Sequence, residues 1–356
     1  MVRRCPSGGQ AAHFHYGDAD AVEEEAQRDD EREARPIDGE VGDHRLEERS
    51  DSEAEPRREQ CHDGEGGDDV PPEEDTARTH DGRLTIAWRG ATIHDPMRFA
   101  RTLIGMVHLA PLPGSPRWAG SMDRVTDAAL ADGRALVDGG IDALLVENYG
   151  DVPFTPGRVE AAAVAAMSAV AREIRRAFPG VPLGVNVLKN DGRAALAVAC
   201  AVGGAFIRVN VHAGAVLADQ GVVQTDAYAL LRDRRLLGAD VLLLADVQGK
   251  HAVPLAPVEL EQEAKDLVHR GLADALVVTG KATGEATAVS DVKRVRSAVR
   301  EVPVLVGSGV TPETATELLS IADGLIVGTF VKGDGIVDNP VDPARVRRLV
   351  DAVRGR

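Results

Sequence analysis

The sequence has little cysteine and no long apolar run. Its three cysteines are Cys5, Cys61 and Cys200, and the first two lie in a strongly acidic stretch. Neither a disulfide framework nor a zinc site built from cysteine is therefore indicated. No segment approaches the ~18 consecutive apolar residues that a membrane-spanning helix needs. We therefore expect a cytoplasmic protein without a transmembrane segment.

The chain also lacks a basic excess. Its formal charge is −16, from 41 lysines and arginines against 57 aspartates and glutamates. Residues 1–80 hold 25 of the acidic side chains and 10 of the basic ones, so the remainder, with 32 acids and 31 bases, is nearly neutral. Nucleic-acid binding requires a basic excess on the folded domain. We therefore expect no nucleic-acid partner.

The acidic side chains concentrate in a leader, residues 1–96, which has no lysine and no hydrophobic periodicity. Stretches such as Glu23–Glu25 and Gly64–Asp75 bury nothing apolar, so nothing offsets their chain entropy. We predict a disordered acidic leader followed by one domain, residues 97–356. The leader can be an acidic interaction tail, a solvating extension, or an over-extended start outside the natural product. No apolar core follows Arg3-Arg4, so it is not a secretory signal.

Beyond residue 97, short apolar runs alternate with helical segments in eight strand-then-helix units. Strict alternation predicts a parallel sheet with helical crossovers. Roughly 260 residues suit a closed (β/α)8 barrel, whose typical length is ~250. An open doubly wound sheet is the alternative, although no GxGxxG motif follows the first strand. The predicted strands are Ile104–Leu109, Ala143–Glu147, Leu183–Leu188, Phe206–Val211, Val241–Asp246, Ala275–Thr279, Val304–Gly307 and Gly324–Gly328. The predicted helices are Met122–Gly139, Pro156–Phe178, Gly192–Val202, Thr225–Leu237, Val258–Arg270, Val289–Arg300, Pro312–Ser320 and Pro343–Val353. Residues 213–224 are predicted to form a loop long enough to close over a ligand.

Two strand ends near the C-terminus are rich in glycine and small hydroxyl residues. Gly307-Ser308-Gly309 ends one apolar run, and Gly328-Thr329 ends the next. Glycine at the end of a buried strand lets a ligand approach the backbone, whose amides can face an anion. In (β/α)8 barrels the last two strands hold a substrate phosphate at this position. We predict that these five residues bind phosphate; two tight turns without a ligand are the alternative.

Polar side chains gather at the other predicted strand ends. In a barrel these ends share one cavity, and buried polar groups without partners are costly, so the clustering indicates a site. The predicted catalytic residues are Asp246, Lys250, His251, Asn186 and Glu147. The predicted substrate-binding residues are His108, Lys189, Asn190, Arg208, Asn210, Thr279 and Lys281. Asp246 close to Lys250 can tune a general base, and Lys250 or Lys281 can protonate an enolate-like intermediate.

Several of these residues have a structural alternative. Asn186 and Arg208 can equally pair with partners inside the barrel. His108 alternates within an apolar strand and can equally be a satisfied core histidine. Glu147 and Asp246 could instead hold a divalent cation through their oxygens. Their spacing specifies no metal, so we assign no metal ligand and no certain cofactor.

Six ordered segments resemble the BtpA/SgcQ family and together cover nearly all of Thr102–Val331. They read IGMVHLAPLPGSPRW, VNVLKNDG, RVNVHAGA, LADVQGKHA, VVTGKATGEAT and VGSGVTPE. The resemblance implies a TIM barrel similar to the ribulose-phosphate-binding barrels. The family is named after a cyanobacterial member needed for photosystem I accumulation, and other members resemble sugar-operon proteins. The positions that carry over are His108, Glu147, Asn186, Asn190, Arg208, Asn210, Asp246, Lys250, His251, Thr279, Gly307, Ser308, Gly309 and Gly328.

One departure from the family pattern concerns the segment after the fifth predicted strand. Family members tend to have a histidine and a small apolar residue after the aspartate, whereas this chain has Gln248-Gly249. The acidic leader has no counterpart in the family pattern, which supports the over-extended start.

These observations predict an enzyme that acts on a small phosphorylated sugar or nucleoside-derived metabolite, as an isomerase, epimerase, lyase or hydrolase. The family name supplies an alternative: a non-catalytic biogenesis or stability factor for photosystem I or another membrane complex, with a sizeable apolar surface patch. A ligand sensor is a third option. Fold alone does not choose between them, but the polar strand ends favour the enzyme. We also expect a homo-oligomer.

Overall fold

The computed structural model describes residues 99–280 and 284–355. The whole predicted leader, residues 1–96, and Lys281 lie outside these ranges. The described strands are β1 (Thr102–His108), β2 (Ala143–Glu147), β3 (Leu183–Asn186), β4 (Phe206–Val209), β5 (Ala215–Ala218), β6 (Gly221–Gln224), β7 (Leu242–Val247), β8 (Ala252–Pro254), β9 (Ala275–Val278), β10 (Val304–Val306) and β11 (Gly324–Val327). The helices are α1 (Met122–Asp138), α2 (Ala161–Ala177), α3 (Gly192–Val202), α4 (Ala227–Leu236), α5 (Leu260–His269), α6 (Val289–Ala298), α7 (Pro312–Leu318) and α8 (Pro343–Arg354).

Eight of these strands close into a parallel barrel. Around the ring their order is β1-β11-β10-β9-β7-β4-β3-β2, and every neighbouring pair is parallel. Each connection between consecutive barrel strands contains a helix, as a parallel pairing requires. The predicted (β/α)8 barrel is therefore confirmed, and the open doubly wound alternative is wrong.

The barrel strands are buried on both faces, which explains why they are apolar throughout. Side chains such as Ile104, Leu145 and Ile326 point into the barrel and form its inner core. Alternate side chains such as Leu103 and Leu144 pack outwards against the helices. Because side chains alternate with a period of two, the polar residues that continue each inward row emerge together at the carboxyl ends of the strands.

One predicted helix begins later than expected. The second helix starts at Ala161, not at Pro156. The reason is tertiary: the backbone N–H of Val159 donates to Asp191 Oδ2, which holds this segment against the end of β3 in a non-helical path. All other predicted strand and helix boundaries agree with the structure within two residues.

Residues 213–224 are not the open loop that was predicted. They contain the hairpin β5–β6, in which Ala218 pairs with Gly221 across the two-residue turn Asp219-Gln220. Strand β5 also pairs with β8, so that a three-stranded antiparallel sheet stands beside the barrel. The positive φ of Gly221, 95°, suits a tight turn. Strand β8 lies between β7 and α5. Its pairing with β5 is therefore long-range and leaves no signal in the local sequence.

Among the described helices, none is long and apolar enough to cross a membrane.

Gly184 makes room for an aromatic ring inside the barrel. A Cβ at this position would lie 2.1 Å from Phe206 Cε2, and Phe206 is fully buried. We expect Gly184→Ala to lower the free energy of unfolding by about 1–3 kcal/mol, because the ring must leave its place in a packed core. Gly180→Ala is the matched control, since no atom lies within 4 Å of its added methyl group. Denaturant titration followed by circular dichroism measures both, and equal stabilities would contradict the expectation.

Candidate functional site

A cavity of about 420 Å³ opens at the carboxyl ends of the barrel strands. Twelve of the predicted site residues line it: His108, Glu147, Lys189, Arg208, Asn210, Lys250, His251, Gly307, Ser308, Gly309, Gly328 and Thr329. Asp246, Asn186, Asn190 and Thr279 are not part of its wall. Lys281 lies outside the described residues. The strand ends therefore bring together most of the side chains that the sequence singled out.

Four polar residues occupy adjacent register positions on neighbouring strands. His108 on β1 is level with Glu147 on β2, Glu147 with Asn186 on β3, and Asn186 with Arg208 on β4. In the sequence each follows by two positions an inward-facing residue, such as Met106 before His108. All four therefore turn towards the barrel axis, directly above its apolar core.

Arg208 forms a two-pronged ion pair with Asp246 on β7. Its Nε lies 2.8 Å from Asp246 Oδ1 and its Nη2 lies 3.0 Å from Oδ2, with both side chains almost completely buried. Asn210 Nδ2 also donates to Asp246 Oδ2, at 2.9 Å. Burial opposes the charge of Arg208, but the attraction of Asp246 outweighs it and raises the pKa of the guanidinium.

Asp246 and Asn186 therefore hold other site residues in place. Asn186 Nδ2 donates to the backbone carbonyl of Arg208 and to Asn210 Oδ1, at 3.0 and 3.2 Å. Both carboxylate oxygens of Asp246 already accept hydrogen bonds, which disfavours it as a cation ligand together with Glu147. Within residues 99–280 and 284–355, no group of three or more histidine, cysteine, aspartate or glutamate side chains is arranged to hold a metal ion.

His108 and Glu147 lie side by side in the wall of the cavity. His108 Nε2 is 3.7 Å from Glu147 Oε1, and the imidazole is 4.9 Å from the Tyr149 ring between centroids. Burial, with the charges of Lys332, Lys250 and Arg208, lowers the pKa of His108 to about 3. Burial raises the pKa of Glu147, although Arg208 and Lys250 oppose the shift. The pair thus combines a neutral imidazole with a carboxyl group that holds its proton at higher pH than usual.

Lys250 and Lys189, which follow β7 and β3, meet in another part of the cavity wall. Lys189 Nζ donates to the backbone carbonyl of Lys250 at 3.0 Å. Burial, reinforced by the charge of Arg208, lowers the pKa of Lys250 to about 8. Burial also lowers the pKa values of Lys189 and His251. An ammonium group that titrates near neutral pH can act as a general acid or base.

The glycines at the ends of β10 and β11 face large side chains. A Cβ on Gly307 would lie 3.4 Å from Arg208 Nη2, and one on Gly328 would lie 2.9 Å from His108 Cε1. Gly309 has a φ of 62°, and a Cβ there would lie 2.3 Å from Ala286 Cα. Ser308 Oγ donates to the Glu285 carbonyl at 2.8 Å, which ties the strand end to the preceding loop. Glycine at 307 and 328 thus admits Arg208 and His108, and the strand ends remain part of the cavity wall.

Two predicted substrate-binding residues have other surroundings. Asn190 donates to the Val211 and Gln224 carbonyls and accepts from Val211 N–H, so it anchors the chain after β4. Thr279 Oγ1 is buried, and within the described part of the chain it has no hydrogen-bond partner.

Arg345, Asp219 and Gln220 are among the cavity-wall residues that the sequence reasoning missed. Arg345 comes from α8, where its Nε donates to the Phe330 carbonyl at 2.6 Å and its guanidinium lies 4.6 Å from the Phe330 ring centroid. Asp219 and Gln220 come from the turn of the β5–β6 hairpin. Arg345 looks like one of several arginines on a solvated helix face, so the sequence carries no signal for it. Asp219-Gln220-Gly221 has the composition of a turn, but its position over the cavity depends on β8.

The sequence model of the BtpA family matches residues 99–355. The chain belongs to the BtpA family. An uncharacterised protein of Pyrococcus furiosus is 44% identical over 253 residues, which cover 70% of this chain and 94% of the relative. The photosystem I biogenesis protein BtpA of Synechocystis is 41% identical over 251 residues, with coverages of 70% and 87%. The resemblance of the six sequence segments to the BtpA/SgcQ family is thereby confirmed.

A comparison with solved structures finds similar chains at low sequence identity. Phosphoribosyl anthranilate isomerase from Thermus thermophilus is 14% identical, with a TM-score of 0.43, and the match covers 71% of this chain and 98% of the isomerase.

Removal of the Asp246 charge tests how much the ion pair contributes to the stability of the folded protein. We expect Asp246→Asn to lower the free energy of unfolding by about 3–5 kcal/mol, because Arg208 then carries a buried charge without a partner. Glu313→Gln breaks the exposed pair with Arg348 and should change the stability little, because water screens an exposed ion pair. Urea titrations of both variants give the comparison. A loss from Asp246→Asn as small as that from the control would refute the expectation.

The lowered pKa of His108 predicts a loss of stability in acid. Between about pH 6.5 and 3 the unfolded chain binds a proton that the folded chain does not, so stability falls as the pH falls. From about pH 7.5 to 5.0, the BtpA-family protein should lose about 2 kcal/mol more than its His108→Gln variant, at ~1.4 kcal/mol per unit below pH 6.5. Unfolding titrations at the two pH values measure this difference. Parallel losses in the two proteins would count against a neutral, buried His108.

Proposed function

We propose that this chain is an enzyme that transforms a small phosphorylated sugar or nucleoside-derived metabolite by proton transfer. The observation that carries the proposal is one cavity that joins two glycine-rich strand ends to buried cations and to acid–base groups with shifted pKa values. Its volume of about 420 Å³ falls within the range of about 300–1,000 Å³ that is usual for small-molecule sites.

The phosphate would bind at the ends of β10 and β11. These are the seventh and eighth barrel strands, whose following loops form the phosphate site in many (β/α)8 enzymes. The segments Gly307–Gly309 and Gly328-Thr329 supply backbone groups to the wall there. Arg345 lines the same cavity, and the guanidinium fork matches the geometry of a phosphate.

Glu147 and Lys250 would move the protons. Burial brings the pKa of Lys250 to about 8, so it can exchange a proton near neutral pH, and burial raises the pKa of Glu147, so this carboxyl group keeps its proton at higher pH than usual. Neutral His108 can donate a hydrogen bond to a substrate oxygen, and the charge of Arg208 would stabilise a developing enolate. An isomerase, an epimerase and a lyase share such an intermediate, whereas a hydrolase would use the same pair on water.

The remaining predicted residues then divide by role. Lys189, Asn210 and His251 line the cavity and would contact the substrate. Asp246 and Asn186 act through Arg208 and Asn210, which makes them positioning residues.

A second function, as a docking protein in the biogenesis of a membrane complex, has one observation in its favour. Leu217, Val222 and Val253 lie level with one another across β5, β6 and β8, and each is more than half exposed. Exposed apolar rows of this kind mark protein-binding surfaces. The name of the Synechocystis relative concerns photosystem I biogenesis. The same row could bury against a second copy of the chain, in line with the predicted homo-oligomer.

A thermal-shift screen with phosphorylated sugars and nucleotides tests the enzyme proposal. A compound at about 100 times its Kd should stabilise the protein by ~2.7 kcal/mol, a rise in Tm of roughly 5–10 °C. Arg345→Gln should weaken binding about tenfold or more, through loss of a charge-assisted contact. Arg345 is a better site for substitution than Gly309, whose left-handed backbone would strain any other residue.

Arg348→Gln is the matched control, because Arg348 lies on the same helix but pairs with Glu313 at the surface. It should leave the response unchanged. A hit is then incubated with the protein, and its conversion is followed by nuclear magnetic resonance. If no phosphorylated compound stabilises the protein, or if the two arginine variants respond alike, the proposal fails and the docking function gains support.

A further inference from the structure

Among the described residues, three cationic side chains are buried, two lysines and one arginine. Two of the three have a carboxylate partner. Arg208 pairs with Asp246 at 2.8 Å, and Lys332 pairs with Asp132 at 2.5 Å. The third, Lys189, is only 8% exposed. Its Nζ donates to the uncharged backbone carbonyl of Lys250. Within residues 99–280 and 284–355, no carboxylate oxygen lies within 4.0 Å of Lys189 Nζ.

The charges around Lys189 are of both signs: Asp219, Asp246 and Glu147 favour its ammonium form, whereas burial and Arg208 oppose it. The charges of Lys189 and Arg208 both lower the pKa of the neighbouring Lys250, beyond the effect of burial. Among nearby carboxylates, Asp246 is committed to Arg208, Glu147 has a raised pKa, and Asp219 is exposed at the hairpin turn. Water screens an exposed charge far more than a buried one. A fold retains an uncompensated buried cation at high cost, which indicates that an anion completes the site.

The place of this cluster in the barrel separates it from the phosphate site. In the ring of eight strands, β3 lies four strands from β10, and β7, which Lys250 follows, lies two strands from β10 and three from β11. Lys189 follows β3, and it therefore faces the ends of β10 and β11 across the axis of the barrel. Both sides belong to the same cavity. One extended ligand can thus reach both sides.

We propose that Lys189 and Lys250 form a second anion subsite, so that the ligand carries two anionic groups. A phosphate binds at the ends of β10 and β11, and a carboxylate or a second phosphate binds at Lys189 and Lys250. This inference rests on the proposed function and narrows it to phosphorylated sugar acids or sugar bisphosphates. Ligands with a phosphate and a neutral opposite end leave the subsite empty.

Two matched pairs of compounds test the subsite by calorimetry near neutral pH. Glucose 6-phosphate is compared with 6-phosphogluconate, which adds a carboxylate, and fructose 6-phosphate with fructose 1,6-bisphosphate, which adds a phosphate. The doubly anionic member of at least one pair should bind about tenfold tighter or better, as expected for a charge-assisted contact. Comparison of the pairs tells which anion the subsite prefers.

Lys189→Met should abolish that preference, because the second anion loses its charged partner. Ligand-free Lys189→Met should be as stable as the unmodified protein or more stable, since a buried unpaired charge has been removed. Lys265→Met, at an exposed lysine of α5, is the matched control and should change neither property.

The outcomes separate this inference from the proposed function. Binding of monophosphates without any preference for a second anion overturns the subsite and leaves the enzyme proposal intact. Absence of binding by all four compounds overturns both. A destabilised Lys189→Met protein that keeps its preference shows that Lys189 only anchors the backbone of Lys250, and this too overturns the subsite.

Discussion

The ion pair between Arg208 and Asp246 is the interaction on which the mouth of the barrel depends. It allows a guanidinium to remain charged while it is almost completely buried. That charge then contributes to the lowered pKa values of His108 and Lys250, and it opposes the raised pKa of Glu147. Asn186 and Asn210 are arranged around the same pair. Burial is the largest cause of each of these pKa shifts, and the charge held by the salt bridge modifies all three.

Size complementarity across the barrel lets these large polar side chains fit. Gly307 faces Arg208, Gly328 faces His108, and one layer deeper Gly184 faces Phe206. Each large inward side chain thus meets a glycine on another strand, as close packing in the core requires. The glycines at the ends of β10 and β11 consequently have a packing reason. Their backbone still lines the cavity, so the packing reason and the proposed phosphate contact are compatible.

The fold could be predicted almost completely from local patterns, and the candidate site in part. Eight apolar runs separated by helical segments predict a barrel, because each unit leaves its signal within some thirty residues. The two errors have long-range causes. The hydrogen bond from Val159 to Asp191 keeps the segment before Ala161 out of α2, and pairing with β8 makes residues 213–224 part of a sheet. Arg345 was missed because its charge pattern is that of an ordinary solvated helix.

By itself, the sequence determined the number and order of the strands, and hence which polar residues stand at strand ends. It did so because burial on both faces demands apolar strands, and a period of two then assigns the inward positions. Only the tertiary structure decided the partners: that Asp246 holds Arg208, whereas Lys189 has no ion-pair partner among the described residues. Contacts between residues far apart in the chain form only when the ring of strands closes. Burial then determines how strongly each charge interacts with its neighbours and shifts their pKa values.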